Sequence, residues 1–298
     1  MSVRTGGGGD DDDNEERVNM NRKTLLGLAC ALAAVSPAIA AQVTINPAKD
    51  NTLYESATGA LSNGAGKYCF TGINSAGATR RAVLMFDIAG SIPAGSTING
   101  ATLTLNMSRT TSGAQMQSLH RLLVDWGEGA SAAGGQEGGG AASQAGDATW
   151  IHTFFSGSSW TNAGGDFDPV PSGASLVDGV GFYQWGGPQL LADVQDMFAD
   201  PANNFGWILM GEEVSVSSTK RYDTKDNPTP GNRPALVIDF TPPCPGDLNV
   251  DGVIDTADLG ILLGQFGTAG PEADLNGDGV VDTADLGILL GMFGTSCP

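Results

Sequence analysis

The chain has 298 residues, 41% of them hydrophobic, and a formal net charge of −19 at pH 7. A surface with this excess of carboxylates repels phosphate backbones, which argues against nucleic acid as a partner. Lys and Arg are absent from residues 234–298, so the acidic excess is strongest toward the C-terminal end.

The first 40 residues have the composition of an acidic prefix followed by a targeting segment. Residues 1–19 combine a glycine run with six acidic side chains and have little apolar surface to bury, which predicts disorder. From Met20, two basic residues precede an apolar run at 25–35 and a small-residue site ending at Ala40. This is the pattern of a secretory signal peptide over 20–40, and its apolar run is too short to span a membrane. We therefore predict a secreted or cell-surface protein, with Met20 as an alternative start.

Residues 42–241 show short apolar runs separated by turns rich in glycine and proline. Alternation over residues 101–107 predicts a strand with Leu103, Leu105 and Met107 on one face. One helix is predicted at 188–198. Many short strands with frequent turns favour an all-β, jelly-roll-like antiparallel sandwich.

Motifs spread along this region resemble a DNRLRE-type module. They include DNTLYES from Asp50, RRAVLMFDI from Arg80, HRLLVDWGEG from His120 and NRPALVIDF from Asn232. The resemblance implies a jelly-roll-like β-sandwich of the kind found in secreted bacterial proteins, some of which bind carbohydrate such as alginate. Because the matching residues are mainly core-packing positions, they bear on the fold more than on a ligand. The sequence departs from the family at residues 127–147, which predict a flexible Gly/Ala/Ser loop without chemistry.

Aromatic residues are the candidates for carbohydrate binding, because their ring faces stack on the apolar faces of sugars. Trp160, Tyr183 and Trp185 lie in glycine-rich stretches where core partners are less obvious. They are therefore predicted to form a carbohydrate-binding platform. The alternative is that they cover the ends of the sandwich, since Trp is often partly buried without a ligand.

An active site in the sandwich is the competing interpretation. The two histidines, His120 and His152, lie in strand-like segments without a serine or cysteine nucleophile motif. Paired carboxylates could serve glycoside hydrolysis. Their turn-like contexts favour solvated turns or structural calcium ligands instead. The pairs are Asp125 with Glu128, Asp166 with Asp168, and Glu212 with Glu213.

The C-terminal region contains a repeat in which residues 247–267 and 274–294 differ at only three positions. Such a copy indicates two equivalent units. Each unit opens with a twelve-residue calcium-loop pattern, with oxygen-bearing side chains at loop positions 1, 3 and 5 and a glycine at position 6. Position 7 offers a backbone carbonyl, and position 12 is Asp where the common EF-hand has Glu. The predicted ligands of two calcium ions are Asp247, Asn249, Asp251, Val253, Asp255 and Asp258, then Asp274, Asn276, Asp278, Val280, Asp282 and Asp285.

Apolar residues at helical spacing follow each loop, and Gly267 and Gly294 stand where a helix commonly ends. No helix-length segment lies immediately before either loop. Over residues 244–298 this combination resembles a type I dockerin, through which secreted polysaccharide-degrading proteins attach to cohesin domains. The predicted fold class is therefore multidomain: an all-β jelly-roll-like sandwich at 42–241, then a small all-α dockerin at 244–298 with two EF-hand-like loop–helix units.

The expected partner of this region is a cohesin-like domain. Dockerins often carry Ser-Thr at loop positions 10 and 11 and basic residues at positions 17 and 18, whereas this chain has Thr-Ala and Leu-Gly. An apolar contact is therefore expected in place of a charged one. The candidate partner-binding residues are Thr256, Ala257, Ile261, Leu263, Thr283, Ala284, Ile288 and Leu290. Core packing is the alternative for the leucines, and it is favoured for Leu259, Leu262 and Phe266.

Charge and cysteines both indicate how this region is stabilised. Residues 244–298 contain nine acidic side chains and no basic ones, so folding is predicted to be coupled to calcium. Cys244 and Cys297 bracket the region, which predicts a disulfide between them. Cys69 is then left over, either buried or available for an intermolecular bond.

Together these features predict a secreted, non-catalytic protein acting in extracellular polysaccharide binding or degradation. Its sandwich would bind carbohydrate, and its calcium-loaded C-terminal region would dock to a cohesin-like partner. Two alternatives stay open at this point. One is a polysaccharide-degrading enzyme, a glycoside hydrolase or lyase, with its active site in the sandwich. The other is a structural cell-surface protein.

Overall fold

A computed structural model describes residues 41–297, so the predicted acidic prefix and signal peptide lie outside the described residues. The strands are β1 (Ala41–Ile45), β2 (Lys49–Tyr54), β3 (Leu61–Ser62), β4 (Tyr68–Ile73), β5 (Thr79–Met85), β6 (Thr97–Thr110), β7 (Gln115–Leu122), β8 (Ala141–Ala142), β9 (Phe167–Val177), β10 (Gly181–Gly186), β11 (Trp207–Met210), β12 (Lys220–Asp223) and β13 (Ala235–Thr241). The helices are α1 (Pro188–Ala199), α2 (Thr256–Gly264) and α3 (Thr283–Gly291), with 3-10 turns at Pro201–Asn203 and Pro230–Asn232.

Of the thirteen strands described in residues 41–297, eleven form one continuous antiparallel sheet that curls back on itself, and β3 and β8 form a separate two-stranded ladder. The main path of the large sheet runs β1-β13-β6-β12-β4-β5-β11-β7-β9, with β10 added to β6 and β2 added to β5. Strand β4 turns the corner, because its residues 68–71 pair with β12 and its residues 72–73 pair with β5. Gly72 stands at this change of partner with φ of 84°, a conformation that costs glycine little.

The main core lies between the two halves of the curled sheet. The predicted alternation in β6 is confirmed, since Leu103, Leu105 and Met107 are all buried there. Residues from β5, β7, β9 and β11 meet them from the other half. Helix α1 confirms the predicted helix and begins with Pro188 at its first turn, where the missing N–H is not needed. Its buried side chains Leu190, Val194 and Met197 join the same core.

A second apolar cluster lies on the outer face of one half of the sheet. It combines Leu53, Val83 and Ile208 from strands with Trp126 and Trp160 from the long connection between β7 and β9. Alternation explains the two clusters, because neighbouring residues of a strand point to opposite faces. Both faces of this half are therefore covered.

Residues 127–147 are built into the structure, contrary to the prediction of a flexible loop. Glu137 is 5% exposed, and its carboxylate accepts hydrogen bonds from Asn63 Nδ2 and from the Tyr68 backbone N–H, both at 3.0 Å. The hydroxyl of Tyr54 donates to the Glu137 carbonyl at 2.9 Å. The buried hydrogen bonds of Glu137 thus hold residues 127–147 in place, although the composition of this segment predicted a flexible loop.

The predicted fold class is wrong. The two halves of the main sheet are continuous and are not two separate sheets, because β4 carries the hydrogen-bond ladder from one half to the other. The described residues belong to one compact unit, without a separate small all-α domain at the C-terminal end. There α2 and α3 span only nine residues each, and most of the region is loop and turn.

None of the helices described between residues 41 and 297 is long and apolar enough to cross a membrane.

Candidate functional site: two acidic loops

The first candidate loop, residues 247–258, wraps backbone N–H groups around its leading carboxylate. Asp247 Oδ1 accepts from the N–H of Asp251 at 3.0 Å, and its Oδ2 accepts from the N–H of Gly252 at 2.9 Å. Asp251 Oδ1 in turn accepts from the N–H of Val253 at 3.0 Å. Gly252 has φ of 88°, so the sharp turn predicted at loop position 6 is present.

The second loop, residues 274–285, repeats this arrangement. Asp274 accepts from the N–H of Asp278 at 3.2 Å and from that of Gly279 at 2.8 Å, and Gly279 has φ of 92°. Asp278 Oδ1 accepts from the N–H of Val280 at 3.0 Å. Two segments 27 residues apart in sequence thus present the same oxygen-rich turn.

Loop positions 9 and 12 also start the helices. In the first unit, the Asp255 side chain accepts from the N–H of Ala257 at 2.7 Å, and Asp258 Oδ2 accepts from the N–H of Asp255 at 2.8 Å. The Asp258 N–H also donates to the Asp255 side chain, so Asp255 and Asp258 form a capping box, which satisfies donors that a helix start leaves unpaired. Asp282 and Asp285 form the same box in the second unit.

The residues at position 12 are enclosed within their loops. Asp258 and Asp285 both have zero exposed surface. The N–H groups of Asp282, Asn276 and Leu275 donate to Asp285 and hold the pKa of its carboxyl below the ordinary value. An ion bound at position 12 would therefore share these oxygens with backbone donors.

The donor set suits a hard divalent cation. Carboxylate and amide oxygens on alternate residues, a position-7 carbonyl and a glycine turn are the features of an EF-hand calcium loop. The four aspartates of each loop carry no compensating lysine or arginine nearby in sequence. The residues present therefore fit calcium.

The two units hold each other through their backbones. Ile254 donates to the Thr295 carbonyl at 2.9 Å and accepts from the Gly294 N–H at 2.7 Å. Val281, at the same loop position of the second unit, donates to the Thr268 carbonyl and accepts from the Gly267 N–H, both at 2.8 Å. Each loop is thus paired with the chain that leaves the helix of the other unit.

A small apolar cluster and a disulfide complete this loop–helix pair, by which we mean residues 247–267 and 274–294. The buried members of the cluster are Ile254, Leu262, Val281 and Leu289 of the pair, together with Ala273 from the segment that joins the two units. The predicted disulfide is present and joins Cys244 to Cys297 across 53 residues of sequence. Cys69 has a free thiol and is buried in the sheet.

Much of the predicted partner surface is open to solvent. Leu263 and Leu290 are each 52% exposed, and Ile288 is 36% exposed. Thr256, Ala257, Thr283 and Ala284 are also exposed, whereas Ile261 is half-buried.

The assignment of the remaining helix positions is mixed. Leu262 is buried and Leu259 is half-buried, as core packing requires, but Phe266 is 44% exposed and that prediction is wrong. A Cβ added at Gly260 or Gly264 would meet open space, and the same holds for the matching glycines of α3. No close contact therefore requires glycine at these four positions.

The predicted carbohydrate-binding aromatics do not form a shared exposed platform. Trp185 is fully buried in the main core, and its indole N–H donates to the Gln117 carbonyl at 2.9 Å. Trp160 is 5% exposed and belongs to the outer cluster. Tyr183 is half-buried, and its hydroxyl donates to the Gly179 carbonyl at 2.7 Å.

The weighed enzymatic residues are engaged in structural contacts. His120 is 8% exposed, with its ring nitrogens at 2.8 Å from the Asp168 carbonyl and 3.0 Å from the Ser118 hydroxyl. Glu213 makes two hydrogen bonds to the Arg81 guanidinium at 2.8 and 2.7 Å. Asp166 and Glu212 accept from backbone N–H groups of their own turns.

Sequence reasoning missed a basic groove on the sheet. Arg109 of β6 faces Arg221 of β12 across the ladder, and both donate to Gln136 Oε1, at 3.0 and 2.7 Å. The Arg221 guanidinium lies 3.7 Å from the ring centre of Tyr68. Arg109, Arg221, Gln136 and Phe70 line a cavity of about 290 Å³. Within residues 41–297, neither arginine forms a salt bridge with a carboxylate.

A search against models of known protein families found no match to this chain, and a search of curated protein sequences found none either.

Proposed function

We propose that this is a secreted, non-catalytic protein whose loop–helix pair binds two calcium ions and docks to a cohesin-like partner. The observation that carries the proposal is the duplicated loop, in which Asp247 and Asp274 collect the same backbone N–H groups around the same glycine turn. The type I dockerin resemblance supplies the partner class, and the signal-peptide pattern at residues 20–40 supplies the location.

Calcium has a clear structural role in this proposal. The loop–helix pair lies within a region of nine acidic side chains without a basic one, so its carboxylates repel one another in the absence of metal. Two Ca²⁺ ions would neutralise four of those charges and fix the loops from which α2 and α3 begin. Because Ca²⁺ would bind the folded loops and not the unfolded chain, it would stabilise the folded form by mass action.

The exposed helix residues suit an apolar contact. Leu263 and Leu290 project large side chains into solvent beside glycines that leave open space. A partner with an apolar, shape-matched surface would bury them. With no lysine or arginine in residues 234–298, positive charge for the contact has to come from the partner.

Calcium titration of the full chain by calorimetry, after treatment with chelator, tests the metal. The expected result is loss of two binding equivalents in the double variant Asp247→Ala plus Asp274→Ala. The control is Asp200→Ala plus Glu272→Ala, which removes the same charge from exposed positions outside the loops. Equal calcium binding by the wild type and the loop variant would refute the proposal.

The partner is tested separately, with a panel of cohesin domains in the presence of calcium. Leu263→Asp plus Leu290→Asp should abolish capture, while Val214→Asp plus Val216→Asp, which changes exposed apolar residues elsewhere, should not. Capture unaffected by the leucine substitutions would contradict the assigned surface.

The groove at Arg109 and Arg221 supports a second candidate function, the binding of an acidic polysaccharide. Two guanidinium groups without carboxylate partners among the described residues can hold a sugar carboxylate through paired hydrogen bonds. The local pair of guanidinium groups favours an acidic ligand over a neutral one.

Affinity electrophoresis in gels containing a polyuronate or a neutral glucan tests this function. Retardation by the polyuronate alone is expected, and it should disappear in Arg109→Ala plus Arg221→Ala. The control is Lys67→Ala plus Arg121→Ala, which removes equal charge from other positions. Release of reducing sugar from either polymer would instead favour the enzymatic alternative, and retardation by neither would favour a structural role.

A further inference from the structure

A third group of acidic side chains lies on the sheet, away in sequence from both loops. Asp50 is in β2, Glu128 lies in the connection after β7, and Asp226 follows β12. Each places one oxygen within 4.8 Å of the oxygens of the other two. In the part of the chain that the structure describes, the other group of this kind contains Cys244 and Cys297, whose sulfurs are joined in the disulfide.

The innermost carboxylate of this group lacks a partner on one oxygen. Asp50 is 1% exposed, and its Oδ2 accepts from the Lys225 N–H at 2.8 Å. Its Oδ1 is buried without a hydrogen-bond donor among the described residues. Burying an ionised oxygen in this way is costly unless a cation or donor reaches it.

Lys225 neutralises only the outer part of the group. Its Nζ lies 3.1 Å from Glu128 Oε1 and 2.9 Å from Asp226 Oδ2, while Asp50 Oδ1 stays unpartnered. When all three carboxylates are ionised, they and the one ammonium leave two negative charges, which one divalent cation would balance. The Asp50 N–H donates to Glu128 Oε1 at 3.0 Å, which holds these two carboxylates side by side.

We propose that Asp50, Glu128 and Asp226 bind one hard divalent cation of the calcium class, at a site distinct from the two loops. Carboxylate oxygens are the ligands such ions prefer, and the three residues come from segments that the sequence separates by 78 and 98 positions. An ion there would fasten the connection after β7 to β2 and to the turn after β12. Lys225 would compete with the ion for Glu128 and Asp226.

Counting bound calcium in the full chain by native mass spectrometry and calorimetry tests the site. The wild type is expected to bind three ions, and Asp247→Ala plus Asp274→Ala one. Adding Asp226→Asn to that loop variant should weaken the remaining ion at least tenfold, and adding Asp50→Asn should abolish it. Adding Lys225→Met instead should tighten it at least threefold, an effect that a purely structural cluster would not produce.

Circular dichroism and tryptophan fluorescence check that each variant is folded. Asp226 is exposed, so Asp226→Asn provides a reading even where Asp50→Asn fails to fold. A loop variant that binds no calcium while the wild type binds two would overturn the third site and leave the loops intact. A remaining ion unaffected by Asp226→Asn and Lys225→Met would overturn it as well. Failure of the loop sites alone would appear as one ion in both the wild type and the loop variant.

Discussion

Removing the disulfide by Cys244→Ser plus Cys297→Ser should destabilise the loop–helix pair and leave the sheet unchanged. The bond closes a sequence separation of 53 residues, which corresponds to about 4 kcal/mol in the loop-entropy model. The apolar cluster of the pair is distinct from the two clusters of the sheet, so the loss should be local. Calcium should offset it, because each of two sites adds about 2.7 kcal/mol at a hundred times its Kd.

The assay uses two signals that report on different parts of the chain. All five tryptophans lie between residues 126 and 207, so their fluorescence follows the sheet. Circular dichroism at 222 nm also follows α2 and α3. In urea with chelator, the variant should lose helical signal at a lower urea concentration, with the fluorescence midpoint unchanged. An equal shift of both signals, or a loss below about 1 kcal/mol with and without calcium, would refute this reasoning.

Three further outcomes are expected from single sites. Leu262→Ala, which removes a fully buried side chain, should cost about 2–5 kcal/mol in denaturant unfolding, while Leu263→Ala at its exposed neighbour should stay within about 0.5 kcal/mol; similar losses would contradict the assigned core. Partial desolvation raises the pKa of the Asp166 carboxyl, but the backbone N–H donors outweigh it and lower that pKa overall. The stabilising effect of the ionised carboxylate should therefore be complete above about pH 4 and decrease as the pH falls further. In Asp166→Asn, the free energy of unfolding should depend less on pH in this acidic range. Burial raises the pKa of the Cys69 thiol well above its usual value, so iodoacetamide should label it only after unfolding, and labelling of the native protein at the rate of a free thiol would show that the site opens.

Patterns within one segment of chain were predictable from the sequence. The alternation of β6 and the turn glycines Gly252 and Gly279 depend on neighbouring residues, so their period and spacing could be read directly. The disulfide could also be predicted, because its two cysteines flank the repeat.

Features that depend on strand register could not be predicted. Trp185 sits beside glycines and suggests an exposed loop, but β10 pairs with β6 and turns this side chain into the core, leaving Phe182 57% exposed on the other face. Arg109 and Arg221 meet because β6 and β12 are neighbours, beside an irregularity in their register that no local pattern encodes.

The fold class was wrong for a related reason. A sequence pattern can mark an individual strand, but it does not show whether one strand will pair with both halves of a sheet, as β4 does on either side of Gly72. Likewise, the helical spacing of apolar residues after each acidic loop predicts a helix there. It does not show that loops and turns, and not helices, make up most of residues 244–298. The Asp50, Glu128 and Asp226 group depends on three distant segments meeting, which sequence spacing cannot show.

The reciprocal pairing of Ile254 with residues 294–295 and of Val281 with residues 267–268 has a consequence for calcium binding. Neither repeat can complete its own loop, because the strand-like contact that fixes it belongs to the other copy. Under the proposed function, the first ion would therefore order part of the second site before the second ion arrives. Binding should then be cooperative, with a Hill coefficient above 1. The loop–helix pair would pass from calcium-free to calcium-loaded over a narrower range of calcium concentration than two independent sites would.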